Sequence, residues 1–145
     1  MKEVLILGYS TNGLYLSHYS LLVLVLLLEN QGGFRFLDAT ERCGLGAGNH
    51  RFSFAASWED FDNDGLLDVH IVNDFGPNQL FRNDGKRFKD VSVQSGSQDW
   101  GFGMSATWAD YDRDGHMDLY VSNMFSSAGN QILPQSNLDT TLSEE

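Results

Sequence analysis

Two nine-residue stretches of the chain carry the residues best suited to chemistry. Each reads D-x-D-x-D-G-x-x-D; the first runs from Asp60 to Asp68, and the second, from Asp110 to Asp118, begins 50 residues later. Four carboxylates within nine residues repel one another, so a folded protein keeps them together when a cation neutralises them. Calcium suits such a cluster because it takes six to eight oxygen ligands at about 2.3–2.6 Å in flexible geometry.

The predicted ligands of each stretch are the acids at positions 1, 3, 5 and 9 and the backbone carbonyl of position 7. The glycine at position 6 permits the sharp turn that wraps the backbone around the ion. These positions are Asp60, Asp62, Asp64, Leu66 and Asp68 in the first loop, and Asp110, Asp112, Asp114, His116 and Asp118 in the second. We therefore expect about two Ca²⁺ ions per chain.

An EF-hand begins with the same spacing but ends differently. Its loop closes with a bidentate glutamate at position 12 and lies between two helices. Position 12 is Ile71 in the first loop and Val121 in the second, and neither can be a side-chain ligand. β-Branched and aromatic residues follow each loop, which predicts that a strand leaves it. The sequence thus favours calcium loops of a β protein.

The charge of the chain limits which class of molecule can be its binding partner. The formal charge is −11, from 20 acidic and 9 basic residues, and eight of the acids lie in the two loops. Two Ca²⁺ ions would bring the charge to −7, so much of the acidity is a predicted ligand set. An acidic surface argues against nucleic acid as a partner, since phosphate binding needs a basic patch. Cys43 is the single cysteine, which excludes an intrachain disulfide and indicates a small core residue.

The repeat extends beyond the loops. Phe52, Phe54, Ala56 and Trp58 precede the first loop as Phe102, Met104, Ala106 and Trp108 precede the second, and each set alternates with small or polar residues. This alternation predicts a half-buried strand, with the aromatic residues packed in the core. One period is expected to hold four short strands, near 52–58, 68–73, 79–82 and 87–92. An antiparallel meander of this kind is one blade of a β-propeller.

The N-terminal region resembles a third copy of the repeat. Residues 30–38 are similar to 83–90, and Gly8–Leu14 can be set against Asp60–Leu66 with the acids lost, so this copy is expected to bind no calcium. The apolar run Leu21–Leu28 is too short for a membrane span, which needs about 18–20 apolar residues. We predict a buried strand for this run; a membrane anchor or a remnant export signal is the alternative.

These residues are similar to the FG-GAP/VCBS repeat, the calcium-loop blade that integrin α-subunit propellers share. The run Trp108–Asn123 and its continuation Met124–Asn130 most resemble the cartilage acidic protein (ASPIC/UnbV) family. The resemblance covers residues 30–133 well and 4–29 weakly. It implies a calcium-stabilised β-propeller that is secreted or at the cell surface and serves adhesion or protein interaction. It also implies that the family's ligands correspond to the four aspartates of each loop.

The predicted fold is therefore all-β, a partial β-propeller of antiparallel meanders with two intact four-stranded blades and a decayed one. The predicted units are a degenerate partial blade at 1–38, a calcium-loop blade at 39–92, a partial calcium-loop blade at 93–133 and a frayed tail at 134–145. Family propellers have about seven blades and a C-terminal ASPIC/UnbV segment, so the sequence is interpreted as a fragment. An open fan of blades would leave edge strands free for self-association.

The predicted function is a non-enzymatic module in which calcium is structural. Its expected location is extracellular, periplasmic or at the cell surface, with a protein or glycan as partner. No nucleophile elbow, phosphate loop or zinc spacing is present, and the four histidines are scattered. Two alternatives stay open from the residues: an accessory domain of a polysaccharide-active enzyme, and a membrane-anchored surface protein.

Overall fold

In the part of the chain that the structure describes, the strands form three small antiparallel sheets. The structure, a computed structural model, describes residues 3–9, 23–48 and 51–124, and within these ranges it contains no helix. The strands are β1 (Glu3–Tyr9), β2 (Val23–Asn30), β3 (Phe36–Asp38), β4 (Ser53–Glu59), β5 (Asp68–Asn73), β6 (Gln79–Asn83), β7 (Phe88–Asp90), β8 (Gly103–Ala109) and β9 (Asp118–Asn123). The sheet orders are β1-β2-β3, β4-β5-β6-β7 and β8-β9. We call them the N-terminal, middle and third sheets.

The middle sheet is the four-stranded meander that the alternating pattern predicts. Each neighbouring pair of its strands is antiparallel, and the strand limits agree with the predicted ones to within about two residues. The all-β antiparallel fold is therefore confirmed. In the third sheet β8 and β9 are described, and the remaining part of the predicted blade, after Met124, lies outside the described residues together with the tail at 134–145. The predicted domain limits stay predictions.

Strand β5 is buried along its whole length because other sheets cover both of its faces. Val69 and Ile71 belong to a core cluster shared with the N-terminal sheet. His70 and Val72 point the other way, towards β8. The cluster joins residues of β2, β5, β6 and β7 with the 39–45 turn segment: Val25, Leu27, Ala39, Cys43, Leu45, Val69, Ile71, Phe81 and Phe88, with Ala56 and Trp58 packed against it. Cys43 is thus a buried core residue, as its sequence context indicated.

The apolar run near residue 25 is a strand. β2 includes Val23–Asn30, and the side chains of Val25 and Leu27 are 2% and 0% exposed in the core. This agrees with the buried-strand interpretation. Among the described residues no helix is long and apolar enough to span a membrane.

The hairpin β2–β3 repeats the hydrogen bonds of the hairpin β6–β7. The Leu27 N–H donates to Thr40 Oγ1 at 2.9 Å, and at the matching position the Leu80 N–H donates to Ser92 Oγ at 2.8 Å. Asn30 and Asn83 each accept, through Oδ1, the N–H of a glycine two residues later. The similarity of 30–38 to 83–90 is therefore a similarity of structure as well.

The proposed alignment of Gly8–Leu14 with the calcium loops does not hold at its start. Gly8 and Tyr9 belong to β1, where they pair with Leu24 and Val23. A loop cannot begin at Gly8 because the backbone there continues a seven-residue antiparallel ladder, whose hydrogen bonds outweigh the preference of one glycine for a turn. The other positions of this alignment lie outside the described residues.

The third sheet lies close against the middle sheet at Gly103. A Cβ atom added there would lie 2.3 Å from Val72 Cγ1 and 3.1 Å from the Asn73 carbonyl oxygen, and Val72 is 0% exposed. We expect Gly103→Ala to lower the free energy of unfolding by about 1–3 kcal/mol through overpacking. Urea unfolding measures this change. Thr107→Ala, on the exposed face of the same strand, is the control and should stay within about 0.5 kcal/mol of wild type; equal losses for the two variants would contradict the close packing.

Candidate metal centre

The two acidic loops adopt the same backbone conformation. Each connects the first two strands of a sheet, β4 to β5 and β8 to β9. Asn63 and Arg113, at position 4, have φ angles of 59° and 64°, and Gly65 and Gly115, at position 6, have φ angles of 86° and 89°. Two left-handed residues in each loop fold its nine residues back on themselves. The glycine at position 6 is needed because side chains rarely adopt this conformation.

The aspartate at position 1 organises each loop through backbone hydrogen bonds. Asp60 accepts the N–H groups of Asp64 at 2.9 Å and Gly65 at 2.8 Å, one on each carboxylate oxygen. Asp110 accepts those of Asp114 and Gly115, both at 3.0 Å. Two N–H donors stabilise one carboxylate, so part of the negative charge is balanced by the loop itself.

Three carboxylates of each loop converge on one point. Asp60, Asp62 and Asp68 each offer an oxygen, and these atoms lie within 4.8 Å of one another; Asp110, Asp112 and Asp118 form the same arrangement. Two ligands on opposite sides of a Ca²⁺ ion would be about 5 Å apart, given Ca–O distances of about 2.3–2.6 Å. Each trio therefore has the spacing of ligands around a single hard cation, and it joins positions 1, 3 and 9, at both ends of the loop.

The aspartate at position 5 lies outside each trio. Asp64 Oδ1 accepts the Leu66 N–H at 2.9 Å, and Asp114 Oδ1 accepts the His116 N–H at 2.8 Å. These are local turns that orient the backbone of position 7. The coordination predicted for Asp64, Asp114 and the carbonyls of Leu66 and His116 stays a prediction.

The first loop is anchored to the sheet through Asp68. This side chain is 0% exposed, and it accepts the Asn83 N–H of β6 at 2.7 Å and the Phe61 N–H at 3.2 Å. Burial raises the pKa of the Asp68 carboxyl; the two N–H donors act against this, and the carboxylates of Asp62 and Asp64 add to it. A buried carboxylate beside other carboxylates is a group whose charged form a divalent cation would stabilise.

Two residues of β6 belong to the surroundings of the first loop, although its spacing gave no sign of them. Arg82 Nε lies 3.6 Å from Asp62 Oδ2, so this carboxylate has a cationic neighbour. Asn83 donates through Nδ2 to the Leu67 carbonyl oxygen at 3.1 Å, in addition to the backbone bond to Asp68. Asn83, the last residue of β6, thus holds the first loop against the sheet through both its backbone and its side chain.

The two loops touch each other. Asn63 Nδ2 lies 3.4 Å from His116 Nδ1. The Phe61 ring stacks on Trp108 with centroids 6.3 Å apart and an interplanar angle of 13°. Trp108 also meets the His70 ring edge-on, with centroids 6.4 Å apart. The two acidic loops are therefore neighbours at the contact between the middle and third sheets. Trp108 contributes to the packing of these two sheets.

His70 is enclosed beneath Trp108. It is 0% exposed, and neither ring nitrogen has a hydrogen-bond partner among the described residues. Burial lowers the pKa of His70 to about 4, while the negative charge of Asp99 acts in the opposite direction. The imidazole is therefore neutral at pH 7 and packed against the Trp108 ring, in keeping with a structural residue.

Comparison with known families agrees with the repeat. A family model described as an FG-GAP-like repeat matches residues 60–121. The match begins at the first aspartate of the first loop and ends within β9. This part of the chain is thus similar to an FG-GAP-like repeat. No curated protein matches the chain.

Proposed function

We propose that this chain is a calcium-binding repeat module in which two Ca²⁺ ions fasten the loops at one end of adjacent sheets. The observation that carries the proposal is the duplicated carboxylate trio, within 4.8 Å in both loops. The matching φ angles and hydrogen bonds show that this arrangement is built twice by the same nine-residue pattern. Oxygen-rich, carboxylate-rich sites suit calcium better than the softer transition metals.

Calcium bound in these sites would stabilise the folded chain. An ion that binds only the folded chain stabilises it by RT ln(1 + [L]/Kd), or about 2.7 kcal/mol per site at a hundredfold excess over Kd. That is a large fraction of the ordinary stability of about 5–15 kcal/mol. The proposed role is structural and non-enzymatic, since each position-1 aspartate is held by two backbone N–H groups of its own loop.

The proposed setting is outside the cell, in adhesion or protein interaction. Millimolar extracellular calcium would fill loops of modest affinity, and the similarity of residues 60–121 to an FG-GAP-like repeat supports this class of protein. The finer resemblance to the cartilage acidic protein family rests on residues 123–130 and belongs to the proposal.

Calcium titration tests the proposal directly. Calorimetry should show about two Ca²⁺ ions per chain, and EDTA should lower the melting temperature. Asp62→Asn and Asp112→Asn keep the side-chain shape and remove one ligand charge from each trio, so each is expected to weaken one site at least tenfold. Glu41→Gln removes the same charge from an exposed position outside the loops and is the matched control. Unchanged melting with calcium and with EDTA would rule the proposal out.

A further inference from the structure

Two contacts join the acidic loops, and both use residues that stand between the proposed ligands. Phe61, at position 2 of the first loop, has a ring that stacks on Trp108 with centroids 6.3 Å apart. Asn63, at position 4 of the same loop, has its Nδ2 atom 3.4 Å from Nδ1 of His116, at position 7 of the second loop. The contacts therefore belong to the same short segments that would close around the two ions.

The residues at these contacts are held by acids of their own loops. The Phe61 N–H donates to Asp68 Oδ2 at 3.2 Å, and the chain neighbours of Phe61 on both sides are the other two members of the first trio. Closing this trio around an ion would therefore fix the backbone that carries the Phe61 ring. In the second loop the His116 N–H donates to Asp114 Oδ1 at 2.8 Å, so the residue that meets Asn63 is also oriented by its loop.

We propose that the two calcium sites bind cooperatively, so that an ion in either loop raises the affinity of the other loop for calcium. This inference rests on the proposed function, since it concerns the same two ions. The first ion orders one loop and, through it, the ring stack and the contact between Asn63 and His116. The second ion then binds a loop whose neighbours are already in place, so less loss of conformational entropy opposes it. The coupling is reciprocal, because both ions gain from the same two contacts.

The gain from the shared contacts exceeds the repulsion between the two ions. Facing sheets lie about 10 Å apart, and two divalent ions at roughly that distance in water, screened over a Debye length of about 8 Å, would weaken the second site about twofold. An aromatic pair alone shifts an equilibrium about 2- to 12-fold beyond the effect of the area that it buries. The exposed contact between Asn63 and His116 adds to this gain. We therefore expect a net positive coupling of about fivefold.

Calorimetric calcium titration of the full chain and of two single-site variants measures the coupling. Asp62→Asn weakens the first site and Asp112→Asn weakens the second, so each variant gives the affinity of the remaining loop by itself. The product of the two association constants of wild type should exceed the product of the two single-site constants about fivefold. This comparison holds whether or not the two loops have equal intrinsic affinities. For equal loops the same coupling corresponds to a Hill coefficient of about 1.4.

A double variant tests whether the two contacts carry the coupling. Phe61→Leu removes the ring but keeps the N–H that donates to Asp68, and Asn63→Gly removes the amide at a backbone φ of 59°, which glycine adopts freely. With the same single-site comparison, the double variant should bind two ions with a ratio of products of about one or less. Tyr111→Leu is the matched control at position 2 of the second loop, where the ring is 79% exposed and has no ring contact among the described residues. This control should keep the coupling of wild type, and circular dichroism checks that each variant is folded.

The possible outcomes separate this inference from the proposed function. A wild-type chain that binds no calcium would overturn both. Two bound ions whose product of constants equals that of the single-site variants would overturn the coupling and leave the two calcium sites in place. A coupling that the double variant at Phe61 and Asn63 retains would overturn the two contacts as its route, since the loops would then be linked through another part of the sheets.

Discussion

Replacing Asp68 by alanine is expected to lower the free energy of unfolding by about 4 kcal/mol in calcium, the largest effect of any single loop residue. Asp68 is fully buried and accepts two backbone N–H groups, one from its own loop and one from β6. Both bonds are part-buried, and each donor left without a partner costs about 1–3 kcal/mol. The variant also loses one ligand of the proposed calcium site, which adds to the loss whenever the ion is present.

Asp118→Ala is the matched comparison because it removes the same position from the second loop. Asp118 accepts the Tyr111 N–H at 3.1 Å and is half-buried, and within the described residues it receives no bond from a third strand. We expect a loss of about 1–2 kcal/mol, roughly half that of Asp68→Ala or less. Urea unfolding of both variants in calcium measures the difference, and equal losses would show that the bond from Asn83 contributes nothing.

Measuring Asp68→Ala and Asp118→Ala in EDTA as well separates the contribution of the calcium ion to stability from that of the hydrogen bonds. Without calcium, removing Asp68 also relieves its repulsion with Asp62 and Asp64, which together with burial raises its pKa. The loss from Asp68→Ala should therefore shrink in EDTA yet stay above zero, because the two N–H groups are still without an acceptor. A loss of the same size in both conditions would mean that Asp68 acts without an ion.

Within the nine residues of each loop, the sequence pattern predicts that carboxylates converge, whereas their coordination of an ion stays a prediction. Alternating acids, the glycine at position 6 and the strand after each loop predict a cage, and the structure brings positions 1, 3 and 9 together twice. The position-5 aspartates depart from this because a short side chain forms a turn with the N–H two residues later. Spacing alone cannot distinguish that bond from metal coordination, since both use the same oxygen atoms.

The local sequence pattern does not predict the contacts between sheets. Three contacts depend on how separate strands pack together. They are the hydrogen bond from Asn83 to the first loop, the stacking of Phe61 on Trp108, and the close approach of β8 to Val72, which requires a glycine. The alignment of Gly8 with a loop was wrong for a related reason: β1 gains a whole ladder with β2, a pairing 14 to 26 residues apart in sequence. The hydrogen bonds of such a ladder form only when both strands are paired, so the local pattern of one strand does not show them.

The enclosed position of His70 predicts a specific loss of stability in mild acid. Its pKa is lowered to about 4 in the folded chain, chiefly by burial, against about 6.5 in the unfolded chain. The unfolded chain therefore takes up the proton first, so stability falls as the pH drops from about 6.5 towards 4 and rises again with pH. The linkage relation gives a loss of about 2 kcal/mol at pH 5 relative to pH 7.5 from this one residue.

His70→Leu is expected to remove that part of the pH dependence. Leucine fills much of the ring's volume, carries no titrating group and needs no hydrogen bond, whereas both ring nitrogens of His70 are buried without one among the described residues. The variant should match or exceed wild type at pH 7.5 and be about 2 kcal/mol more stable at pH 5. The two proteins differ only at residue 70, so the difference between their urea midpoints at each pH, in saturating calcium, measures the contribution of His70. A constant difference across this pH range would mean that the imidazole reaches water and is not sealed by Trp108.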